Sequence, residues 1–352
     1  MKRLLLIIFL FTFSASFAQE NKPAGKFTGV LFGDYFYKLY GDSSGSAGQY
    51  SPYGKDIQGF MIRRTRLHYE HYFNDNFTGN FGIEANDVTK IDSKMSFVLY
   101  DANFEWKNVV ANSSIFFGLM PTPMFVLGIS EKMYGYRGVE KTIADKNGLG
   151  SAVDIGIALK GTFDKEGRYG YMAQIGNGKG LKPEFSKYLK FYGQTYAKIF
   201  KDFIAEGYFD FQSGINEQYR YTVKSVIGYK TKHHELTFEP VFQFRNNAIA
   251  GIDAQNPLGF SVHAKYNLLR KTDINESEVI NVFARCDYYD PNSNNGNSGF
   301  TEHFMNAGID FLPFPNFHII PNLWLTMYKD KSPANISRPN DVVARMTFWF
   351  IY

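Results

Sequence analysis

The feature that most constrains this chain is an alternation. From about residue 27 to the last residue, apolar and polar side chains take turns along one stretch after another. A period of two means extended strands with two unlike faces. In 77–87, Phe77, Phe81, Ile83 and Ala85 alternate with Thr78, Asn80, Glu84 and Asn86. In 188–200, Leu189, Phe191, Ala197 and Ile199 alternate with Lys190, Tyr192, Gln194, Tyr196 and Lys198. The final stretch sets Val342, Ala344, Met346, Phe348, Phe350 and Tyr352 against Arg345 and Thr347.

About sixteen such segments follow one another, each roughly ten residues or more, the length a tilted membrane strand needs. They span 27–40, 57–73, 77–87, 94–106, 109–120, 151–163, 168–178, 188–200, 203–212, 220–230, 234–247, 258–269, 279–290, 301–312, 317–328 and 340–352. Short turns fall at Asn74-Asp75-Asn76, Lys107-Asn108, Asp164 to Gly167, Lys201-Asp202, Thr231 to His233 and Pro313 to Asn316. Between them lie longer loops, of which 121–150 is the longest; only the connection 270–278 breaks the rhythm. Short turns at one end and long loops at the other predict an all-β, antiparallel up-and-down barrel. Its even strand count puts both termini on the short-turn side. A soluble sandwich would show the same alternation but with shorter strands.

Composition places that barrel. Residues 1–18 read as an export signal: Lys2 and Arg3, the apolar stretch Leu4 to Phe13, and Ser16-Phe17-Ala18 before Gln19. Residues 19–352 then form one barrel domain. Beyond the signal no run is apolar enough for a membrane helix, yet 18% of the chain is aromatic. A formal charge of +4, or +2 without Lys2 and Arg3, implies no strongly basic or acidic partner and no nucleic acid. The lone Cys286 cannot form an internal disulfide. The expectation is a protein of the cell outer membrane in contact with lipid.

Two stretches carry a likeness to a known family. One is Gly59-Phe60-Met61-Ile62-Arg63-Arg64-Thr65-Arg66-Leu67. The other is Phe117-Gly118-Leu119-Met120-Pro121-Thr122-Pro123-Met124, leading to Val153-Asp154-Ile155-Gly156-Ile157-Ala158-Leu159-Lys160-Gly161. In these the chain resembles the phosphate-selective porins (porins O and P) of Gram-negative outer membranes. The resemblance implies a homotrimer of sixteen-stranded barrels, each with its third external loop folded into the lumen and basic residues lining the path. Ala152 and Val153 stand where the family usually has arginine before the Asp, a departure that weighs against phosphate specificity. The terminal Tyr352 is similar to the family's final Phe.

Selectivity in a pore comes from charges at its narrowest point. The third loop offers Lys132, Arg137, Lys141 and Lys146 against Glu131, Glu140 and Asp145; a solvated loop face is the plainer alternative. It also carries Met124, Phe125, Met133, Tyr134 and Tyr136, too apolar to lie free in water. On the early strand Arg64, Arg66, His68 and Glu70 share a face opposite Met61, Thr65, Leu67 and Tyr69. Lys160, Lys190, Lys198, Lys224, Lys265, Arg285 and Arg345 are further wall candidates, with Glu84, Asp101, Asp154, Glu206, Asp210, Glu239 and Asp287. Arg63 falls on the apolar face, where a charge at the bilayer midplane costs about 2–4 kcal/mol; a place near an interface, at a bulge or in the trimer contact would each relieve that cost.

Enzyme-like patterns are weak. Gly41-Asp42-Ser43-Ser44-Gly45 lacks the strand-turn-helix of a nucleophile elbow. Asp290 to Gly296 fits a calcium loop poorly, Gly176 to Gly180 has no following helix to bind phosphate, and His68/His71 and His233/His234 lack convergent ligands. The expected function is passive diffusion of small hydrophilic solutes or ions, anions such as phosphate among them, with no catalytic residues, metal or cofactor. Two rivals are an outer-membrane hydrolase and a structural or adhesive barrel whose lumen is blocked.

Overall fold

Backbone pairing decides the architecture: each strand bonds to the next in sequence, and the first bonds to the last. The computed structural model describes residues 24–41, 50, 52–86, 90–91, 94–125, 129–182, 187–215, 218–246, 254–270, 278–294, 299–332 and 338–352. The export signal assigned to 1–18 and the Gly41 to Gly45 motif beyond Gly41 lie outside them, as does the end of the 290–296 stretch. Sixteen antiparallel strands form one closed barrel. They are β1 (Gly25–Tyr40), β2 (Gln58–Tyr72), β3 (Phe77–Asn86), β4 (Val98–Val110), β5 (Ser113–Pro121), β6 (Val153–Thr162), β7 (Tyr169–Gly176) and β8 (Lys190–Phe200). Then come β9 (Phe203–Ser213), β10 (Tyr219–Lys230), β11 (His234–Asn246), β12 (Leu258–Arg270), β13 (Glu278–Asp290), β14 (Phe300–Phe314), β15 (Phe317–Asp330) and β16 (Asp341–Ile351). Closure sets Val30 opposite Ile351 and Asp34 opposite Thr347. Below them, Gly29 and Tyr352 exchange backbone bonds of 2.7 and 3.0 Å.

The two faces are inverted relative to a soluble protein. Along β9, Glu206, Tyr208, Asp210 and Gln212 point inward and are buried, while Phe203 and Phe209 point outward and are exposed. Phe81, Ile157, Ile175, Phe191, Ile227, Leu236, Val262, Met305 and Leu323 are likewise exposed. Only an apolar surrounding makes that arrangement stable. Outward aromatics cluster in two belts. Toward the long loops, Tyr221 stacks on Phe244 with ring centroids 5.2 Å apart, and Tyr35 lies 4.9 Å from Phe60. Toward the short turns, Phe27 meets Tyr69 at 4.5 Å, Phe203 meets Tyr229 at 4.8 Å and Phe314 meets Phe317 at 5.0 Å.

Two local expectations change. The turn expected at Lys107-Asn108 falls instead at Ala111-Asn112, because β4 runs on to Val110. Asn108 and Asn112 both adopt positive φ, 58° and 59°. At Asn108 this gives a slip of register between Lys107 and Val110, and at Asn112 the turn itself. Asparagine tolerates that conformation wherever it falls, so residue type alone does not say which one reverses the chain. The connection 271–277, long where a short turn was expected, lies outside the described residues.

The second change resolves Arg63. Phe32 faces Arg64 and Gly33 faces Ile62, so Arg63 is the extra residue of a β-bulge. Inward parity switches there: Arg64, Arg66 and His68 face the lumen on one side of it, Met61 and Arg63 on the other. Met61 packs within the barrel against the cluster of Phe36, Tyr50, Phe304, Trp324 and Val343. Arg63 is buried against Asp34, with Nη2 3.2 Å from Oδ1. The same carboxylate accepts from Tyr50 and Thr347 at 2.5 Å each. Asp34→Ala leaves that guanidinium buried without its counter-ion, a loss of about 3–5 kcal/mol. It should appear as an earlier urea midpoint for the heat-modifiable folded band, whereas the Asp34→Leu/Arg63→Met pair should lose far less.

Candidate functional site

The loop between β5 and β6 is built from its neck inward. Gly118 has a φ of 119° and stands opposite Gly156. A Cβ at Gly156 would lie 2.0 Å from the Ile175 carbonyl oxygen, so both positions require glycine. Thr122 then closes the neck, donating from its N to Ala152 O at 2.9 Å and from its Oγ1 to Ser151 O at 2.7 Å. Asp154, a candidate for the pore wall, is instead fully buried. It accepts at 2.7 Å from both Gly178 N and Tyr192 OH, clamping β6 to β8 and to the turn after β7. Gly176 to Gly180 is that turn, with positive φ at Gly178 and Gly180.

From this neck the loop runs inside the barrel, with two short helices, α1 (Ile129–Tyr134) and α2 (Ile143–Lys146). Its apolar residues find apolar partners on the wall. Met124, Phe125, Ile143, Ala144 and Leu149 pack with Tyr192, Tyr208 and Val241. Tyr134, Tyr136 and Val139 pack with Phe283 and Ile320, the Tyr136 ring 4.2 Å from Phe283. Wall side chains also grip the loop by its carbonyls. Lys224 Nζ donates to Met124 O at 2.6 Å and Ser130 Oγ at 2.9 Å, while pairing with Glu206 at 3.0 Å. Gln243 reaches Leu149 O at 2.8 Å, Arg285 reaches Lys141 O at 2.6 Å and Arg345 reaches Val139 O at 3.1 Å. Arg63 bonds Gly138 O, and Trp324 Nε1 donates to Glu140 at 2.9 Å.

This arrangement divides the basic residues into two sets. Arg345, Lys190 and Lys146, three of those expected to line the pore, are closed off. Arg345 is buried in the loop latch, Lys190 pairs with Asp210 at 2.8 Å, and Lys146 is bound to Glu302 over the Phe304 ring. Each is taken up by a carboxylate or a loop carbonyl. The other set meets water. Arg64 and Arg66 keep 14% and 19% of their side chains exposed beside Glu84, and Arg66 lies 3.7 Å over the Tyr100 ring. Arg137, 13% exposed, bridges Glu131 at 3.1 Å and Asp145 at 2.9 Å. Lys141 is half-buried, its carbonyl held by Arg285. Lys132, Lys160 and Lys198 are exposed around a cavity of about 510 Å³ near the short turns, where Glu105 is the acid in the lining. Low-dielectric walls concentrate the field of such a group.

Trp324, Phe283 and Ile320 hold the loop and were not anticipated; Tyr50 packs beside Trp324 and bonds Asp34. The sequence does contain a signal for the three on strands: each is an apolar residue on the polar parity of its strand. Among the described residues no group of three or more His, Cys, Asp or Glu could hold a metal. His68 faces Asp101 at 3.3 Å, while His71 lies against Phe73 and His234 against Tyr266.

No protein-family model matches the chain, and no curated protein matches it. Solved structures do. The anion-selective porin from Comamonas acidovorans superposes with a TM-score of 0.66 at 11% identity, over 93% of this chain and 99% of that one. The outer-membrane channel DcaP of Acinetobacter baumannii gives 0.64 at 10% identity, over 93% and 97%. OmpT of Vibrio cholerae gives 0.63 at 11% identity, over 95% and 99%. These likenesses are of fold alone, over 93–95% of this chain.

The latch has a defined pH dependence. Burial alone would raise the Glu140 carboxyl, but Arg345 and Arg63, with the Lys141 N–H, hold it down from 4.5 to about 2. A carboxyl lowered on folding stabilises fully above its unfolded value and loses that contribution as pH falls toward the folded one. Amide protection factors across 138–141 should therefore be flat from neutral pH to about 5 and fall as pH drops from about 4.5 toward 2. Glu140→Gln should remove that step; a step that survives it would assign the titration to another group.

Proposed function

We propose that residues 19–352 form an outer-membrane channel through which small hydrophilic solutes diffuse passively, with a preference for small anions, inorganic phosphate among them. Residues 1–18 direct export, the short turns and both termini face the periplasm, and three copies associate in the membrane. Solutes pass along the β2–β8 side of the lumen, between the wall and the 122–152 loop. The observation that carries this reading is the sorting of cations. Where the loop meets β8 to β16 they are consumed by carboxylates and carbonyls. On the other side Lys132, Lys160 and Lys198 are exposed, while Arg64, Arg66 and Arg137, paired with Glu84, Glu131 and Asp145, still keep part of each side chain in water. The solved relatives named as an anion-selective porin and an outer-membrane channel are in keeping with it.

A second reading, a structural barrel sealed by its own loop, is favoured by the dry clusters under that loop. Planar-bilayer recording separates the two. A channel gives steady current, with a reversal potential in a chloride gradient displaced toward anions. Replacing Lys132, Lys160 and Lys198 together by Glu should move it toward cations without changing the fold. A barrel that inserts yet passes no current would establish the sealed form.

A further inference from the structure

At the long-loop ends of β10 and β11, Arg220 stands directly opposite Arg245 in the antiparallel register. Like charges so placed repel. Arginines deeper in the barrel are matched by acids: Arg63 by Asp34, Arg66 by Glu84, Arg137 by Glu131 and Asp145, Arg285 by Asp287. Arg220 and Arg245 have no such match among the described residues. Arg220 Nη2 donates to Gln212 Oε1 at 2.7 Å, and Arg245 Nε donates to Gln243 Oε1 at 2.5 Å. Neutral amide oxygens orient both forks and leave both charges uncancelled. The remaining N–H groups suit bidentate recognition of an oxyanion.

The pair lines a cleft of about 490 Å³ at the barrel mouth, together with Tyr188, Gln212, Gln218 and Asn246, and no carboxylate stands in that lining. A lone tetrahedral oxyanion would fill a small fraction of the space. Three side-chain amides, each both donor and acceptor, match vicinal hydroxyls, and Tyr188, with Lys187 5.3 Å from its ring centroid, stands beside them. We propose that this cleft captures an acidic saccharide, its carboxylate or sulfate bridging Arg220 and Arg245 and its hydroxyls meeting Gln212, Gln218 and Asn246. Capture stands on these residues alone; passage of the sugar into the lumen rests on the channel reading above.

Isothermal titration of the full chain, refolded in detergent, with digalacturonate tests the site. Wild type should bind at one site. Arg220→Gln and Arg245→Gln should each weaken binding about tenfold, and the double variant more, since each removes charge-assisted bonds. Folding of each variant is read from its heat-modifiable band. Maltose, of similar size and uncharged, should bind far more weakly. Equal affinity in wild type and a folded double variant, or no binding by wild type, would overturn the site. So would inorganic phosphate binding as tightly as digalacturonate, because the cleft would then read charge without sugar. Calorimetry needs no current, so absent binding in a conducting barrel sinks this proposal alone. Binding by a barrel that does not conduct sinks only the channel reading.

Discussion

The pairing of every strand with a neighbour on each side governs the rest of this molecule. Once the sheet has closed, the backbone needs nothing further from its surroundings, and both faces become free to differ. The outward face takes the apolar side chains, ringed by aromatics at two heights. The inward face takes the charges, and their burial creates the next problem. An ion removed from water is costly unless partnered, so Lys38 pairs with Asp341, Lys190 with Asp210, Lys224 with Glu206 and Arg285 with Asp287. Such pairs add little net stability. Their effect here is geometric, since Lys224 and Arg285 also reach carbonyls of the inward loop.

That loop makes the lumen lopsided. Its neck is fixed by two glycines and a threonine on the β5–β6 side, and its body lies against β8 to β16. Wet space is thereby left along β2 to β8. The loop thus acts as an extra wall that decides which cations stay in contact with water. Arg64 and Arg66 share one carboxylate, Glu84, and Lys132, Lys160 and Lys198 gather around a cavity with Glu105 in its lining.

Much of this was legible in the residues. Alternation is local, and strand number, most turn positions and closure follow from it once an unpaired edge is disallowed. The inward course of the 121–150 loop was legible as well, from Met124, Phe125, Tyr134 and Tyr136. What resisted reading was anything set by register. Alternation alone set Arg63 facing outward, with a bulge as one of three ways out; one inserted residue in β2 reverses parity, and composition does not say where such a bulge falls. Arg345 and Lys190 looked like Arg66 in sequence, yet cross-strand partners and the loop decided which stayed wet. Asp154 sits in a motif that resembles a porin's and serves as a clamp. Trp324 and Phe283 carry a signal of their own, as apolar residues on the polar parity of their strands.

The seam between β1 and β16 also has a kinetic meaning. Asp34 and Thr347 touch across 313 positions of chain, so the ring cannot shut until almost the whole polypeptide has been threaded into place. Until that moment two raw edges stay open, one at either end of a growing ribbon, and each could recruit a stray strand. Contacts so remote in sequence form late and slowly. The Asp34–Thr347 bond, with Arg63 and Tyr50 on the same carboxylate, therefore marks the last step of assembly and the point past which the cylinder no longer offers an opening for aggregation.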